Sequence, residues 1–107
     1  MINTGYAMAI KDKYYIVPAQ TQRFTKAIAN VFINALFSEH LKTHPAITTD
    51  MIYRDMIDNK RYFKVKYEHK PNMETDINGG REDRYYIQGS NFFGHFKPDN
   101  VVILQAE

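Results

Sequence analysis

The feature that most constrains this 107-residue chain is a segment that is apolar on almost every side. From Thr21 to about Thr43, the residues Phe24, Ile28, Val31, Phe32, Ala35 and Leu36 recur at spacings that line one face of an α-helix. Ala27, Ala29, Ile33 and Phe37 make its flanks apolar too, leaving Arg23, Lys26, Asn30, Asn34 and Ser38 as a thin polar line. Such a helix must be covered on more than one side. A sheet can take one side; a second helix, or a second copy of the chain, must take another. The pattern therefore predicts a long central helix, capped by Thr21 and stopped by Pro45, and a homodimer formed through the helix at 21–43.

Around this helix the sequence reads as strands. Tyr6 to Ile10 and Tyr14 to Val17 flank Lys11-Asp12-Lys13 as a hairpin that ends at Pro18. A shorter helix, capped by Thr48 or Thr49, runs to about Asn59 and carries Asp50 in its first turn, where the helix dipole favours a carboxylate. Tyr62 to His69 then alternates: Phe63, Val65 and Tyr67 point one way, and Tyr62, Lys64, Lys66 and Glu68 the other. Arg84 to Gln88, Phe92 to Phe96 and Val101 to Leu104 are further strand candidates, and residues 70–83 read as a flexible loop or arm. With strands gathered at the two ends, the expected fold is a single α+β domain over residues 1–107. Its small antiparallel sheet packs on the long central helix plus the short second helix, in the order β-β-α-α-β-β-β.

Composition removes several classes of function. There is no cysteine, so a disulfide scaffold, a thiolate metal site and a cysteine nucleophile are excluded. No stretch has the roughly 18 apolar residues that span a bilayer, and the start of the chain lacks a secretion signal, so a cytoplasmic, membrane-free protein is expected. The phosphate-loop, nucleophile-elbow and calcium-loop patterns are also missing. Gly94 is followed by His95 rather than Gly-Lys-Ser/Thr, Ser90 lacks the Gly-x-Ser-x-Gly pattern of a nucleophile elbow, and the register of Asp76 to Gly80 does not fit a calcium loop. His40 and His44 share one helix face at a spacing of four, but Leu41 stands where a zinc protease needs Glu, so no metal, cofactor or catalytic residue is assigned. The rival enzymatic reading, a small hydrolase or nuclease, would draw on His40, His44, His69 and His95.

Charge gives the positive signal. Residues 60–70 carry Lys60, Arg61, Lys64, Lys66 and Lys70 against Glu68, whereas residues 71–107 are net acidic. With Tyr62, and with Arg84, Tyr85 and Tyr86 on a neighbouring strand, these residues form a candidate partner-binding face of cations and flat rings. The second helix, with Asp50, Asp55 and Asp58 against Arg54, would repel phosphates. The expected function is non-catalytic, stoichiometric docking on an acidic protein partner, in the manner of a phage accessory or inhibitor protein acting on a nucleic-acid-handling complex. The alternative is direct binding of nucleic acid by the same face.

Overall fold

A computed structural model describes residues 2–70 and 83–105. The arm expected at 70–83 therefore lies almost wholly outside the described residues, which include only its ends, Lys70 and Asp83.

The chain begins with an antiparallel pair, β1 (Asn3–Ile10) and β2 (Lys13–Pro18), joined by the two-residue turn Lys11-Asp12. Without a glycine there, Lys11 itself takes the left-handed conformation at φ 55°. Three helices follow: α1 (Lys26–Leu36), α2 (Ser38–Thr43) and α3 (Thr49–Asp58). Then come β3 (Phe63–Lys70), β4 (Arg84–Gln88), β5 (Phe93–Phe96), a 3-10 turn at Pro98–Asn100, and β6 (Val101–Ile103). The α+β character holds, but the expected order does not. Three helices replace two, and all four strand candidates after the helices form strands, one more than that order allowed.

The long helix at 21–43 is also corrected. Its cap is Thr25, whose hydroxyl accepts from the Ile28 N–H at 3.2 Å, and not Thr21. Residues 21–24 are held out of helix by other bonds. The Tyr6 hydroxyl donates to the Thr21 carbonyl, the Thr21 hydroxyl donates to the Arg23 carbonyl, and Phe24 is pinned against Tyr62. At the other end, Phe37 leaves helical geometry (φ −124°, ψ 7°) and separates α1 from α2. That break lets both Phe37 and Leu41 pack against the same core. The second helix follows its pattern: Thr48 caps α3 by accepting from the Met51 N–H.

All six strands form one sheet in the order β5-β4-β3-β1-β2-β6. Every neighbour is antiparallel except β6, which runs parallel to β2, so the sheet is mixed rather than purely antiparallel. The sheet curls. Tyr14 on β2 and Phe96 on β5 lie 4.6 Å apart, ring centre to ring centre, although three strands separate them in the sheet. The inside of the curl is a core of Ala7, Ile16, Val65, Tyr67, Ile87 and Val101. On the outside, Tyr6, Met8 and Val17 meet Ile28, Ala29, Phe32 and Ile33 of α1 and Met56 of α3. Burying each of the larger side chains contributes about 2 kcal/mol. The second side of α1 is thus covered by α3, within the chain. Among the described residues, the most exposed large apolar side chains, Ile2, Met51, Ile57 and Phe93, belong to neither α1 nor α2.

Candidate functional site

The helices sit over the β1–β2 half of the outer face, which leaves the β3–β4–β5 half open. In-register partners in a sheet share a face, so the ladder decides which side chains meet on this open half. Lys66 pairs with Gln88, Glu68 with Tyr86 and Lys70 with Arg84; Tyr86 in turn pairs with His95 and Gln88 with Phe93. Lys64 lies opposite Tyr6 and therefore faces the same way.

Five of the nine residues expected at the binding face gather here: Lys64, Lys66, Lys70, Arg84 and Tyr86. Lys64, Lys66 and Lys70 are exposed, and Arg84 and Tyr86 are half-buried. The other four do not join them. Tyr85 points into the curl, stacked on His69 at 4.5 Å, because adjacent residues of a strand face opposite ways. Tyr62 lies flat on Phe24, with ring centres 3.8 Å apart, as part of the packing between sheet and helices. The Arg61 guanidinium pairs with the Asp55 carboxylate at 3.3 Å. Lys60 belongs to the end of α3, where it takes φ 49°.

Three residues outside the expected nine also belong to this face, and the alternation of β3 already places Glu68, though not Phe93 or His95, on that side. Tyr86 and His95 stack almost parallel (3°) at 4.3 Å, and Phe93 stands edge-on to both. From the β3 side, the Lys70 ammonium lies 5.1 Å from the Tyr86 ring centre. The third, Glu68, lies within this set and approaches Lys70 at 3.9 Å. A period-two reading continued from Tyr86 across Gln88, and from Phe92 to Phe96, would have separated these side chains. Phe92 and Phe96 turn inward, whereas Phe93 and His95 turn outward. Below the surface, burial pushes the Tyr67 phenol above its ordinary range, with a further push from Tyr85.

The four histidines fall at three separate places. His40 and His44 stack on each other along α2 at 3.9 Å, and the His44 Nδ1 lies 3.0 Å from the His40 carbonyl oxygen. His69 faces the inside of the curl and pairs with Asp83, while His95 is on the outer face. Among the described residues, no group of three or more His, Asp or Glu side chains is placed to hold a metal ion. No helix among them is long and apolar enough to cross a membrane. Comparison with known proteins found no matching family model, curated protein or solved structure.

Proposed function

We propose that this chain is a small non-catalytic protein that acts by stoichiometric docking of its open sheet face on an acidic protein partner. The proposed partner class is a nucleic-acid-handling complex, of the kind that phage accessory and inhibitor proteins engage. One observation carries the reading: Lys64, Lys66, Lys70 and Arg84 share the uncovered half of the outer face with Tyr86. Cations aligned with a ring supply both long-range attraction to an acidic surface and an anchor for contact. The same row of cations also supports the second reading, direct binding to phosphates.

The test is capture from cell extract by the tagged chain and by a Lys64→Glu, Lys66→Glu double variant, with and without nuclease. The expected result is one protein held at a fixed molar ratio, indifferent to nuclease and bound at least tenfold more weakly by the double variant. Retention unchanged by the reversals removes this face from the function. Capture abolished by nuclease, with log affinity falling steeply and linearly against log salt, assigns the face to nucleic acid instead.

A further inference from the structure

Among the described residues, the two most exposed large apolar side chains meet at one groove. Ile2, 65% exposed, precedes β1, and Phe93, 60% exposed, opens β5, yet both line the same shallow depression on the open face. Its remaining wall includes Lys66, Glu68, Tyr86 and Gln88. The sheet brings these residues together, because Thr4, Lys66, Gln88 and Phe93 form one continuous row across four strands. Two apolar side chains from distant parts of a chain, exposed together on a face that also carries Lys64, Lys66, Lys70 and Arg84, make a patch suited to docking rather than scattered surface residues.

The aromatic geometry distinguishes between partner types. A surface that binds nucleic-acid bases offers open ring faces for stacking. Here the Tyr86 ring is stacked on His95 and approached by the Lys70 ammonium, so it is already engaged on the face. What the groove still offers is the aliphatic side chain of Ile2 and the exposed Phe93 ring, with Lys66 beside them and Lys64 on the same face. We infer that the groove takes an apolar side chain of a protein segment whose neighbouring residues are acidic. The inference rests on the docking reading above and narrows it to the chemistry of the docking segment.

The experiment is a titration of the isotope-labelled chain, followed by its amide resonances, with three probes. These are an acidic peptide with one central leucine, the same peptide with serine in place of the leucine, and a single-stranded oligothymidylate. The leucine peptide is expected to bind at least tenfold more tightly than the serine peptide, with shifts centred on Lys66, Gln88 and Phe93. In a Phe93→Ser variant the two peptides should bind equally, and unchanged resonances elsewhere would show an intact fold. Equal binding of both peptides by the unaltered chain overturns the inference and leaves the basic-face reading standing. Failure of both peptides to bind, or tighter binding of the oligothymidylate, overturns the inference together with the protein-docking reading.

Discussion

At the scale of single residues, the backbone shows where the chain holds an unfavourable conformation for want of a glycine. Lys60 closes α3 in the left-handed region. Its N–H bonds the Ile57 carbonyl at 3.3 Å, and the Arg61 N–H bonds the Met56 carbonyl at 2.9 Å. These two bonds make a Schellman cap, where glycine is the usual residue because it has no Cβ to clash. Lys60→Gly is therefore expected to stabilise the fold by about 1 kcal/mol, raising the melting temperature by about 5 °C in calorimetry. It should leave partner binding intact, since Lys60 is not part of the strand ladder that builds the open face. A second residue-scale effect concerns Asp50, which the Lys26 ammonium holds below its ordinary pKa of 3.8, first through a hydrogen bond and then through charge. A carboxyl depressed in the folded state stabilises above its unfolded pKa and loses that contribution as pH falls through the folded one. The pair is solvent-exposed, so the effect is small. Relative to the unaltered chain, Asp50→Asn should be less stable at neutral pH, with the difference shrinking in urea titrations as pH falls below 3.8.

At the scale of elements, the helix boundaries separate what periodicity reveals from what contacts impose. The apolar stripe from Ile28 to Phe32 was legible because its spacing is helical. The start of α1 was not. Thr21 has the right chemistry for a cap, but its carbonyl is engaged by the Tyr6 hydroxyl, which comes from β1 fifteen residues away. Substituting the two threonines distinguishes these assignments. Thr25→Ala should cost about 1 kcal/mol in chemical denaturation, whereas Thr21→Ala, which removes only an exposed hydroxyl bond, should cost less than about 0.5 kcal/mol. The strands show the same division. Alternation in β3 placed Lys64 and Lys66 on one side correctly, and the same rule separates Tyr85 from Tyr86. Treating Arg84, Tyr85 and Tyr86 as one basic-aromatic group overlooked that neighbours in a strand face opposite ways.

At the scale of the whole molecule, the curl of the sheet sets both the second core and the open face. Tyr14 packs against Phe63, Phe92 and Phe96, tying β2 to β5 across the inside of the curl. Phe96→Ala should remove that tie at a cost of about 2–3 kcal/mol, because the ring is only half-buried, and the loss is readable as a lower urea midpoint. Phe93→Ala, three residues earlier but 60% exposed, should change stability by less than about 0.5 kcal/mol. The sequence alone determined the mixture of helix and strand, the apolar stripe of α1, a cap for α3 at Thr48 or Thr49 and the concentration of cations at 60–70, since each is a matter of spacing or composition within a short window. Strand order, the parallel β6, the break at Phe37 and the meeting of Ile2 with Phe93 were decided only by tertiary structure. Each of these depends on which distant segments become neighbours, and hydrogen bonding and burial between segments choose that arrangement where local periodicity carries no information about it.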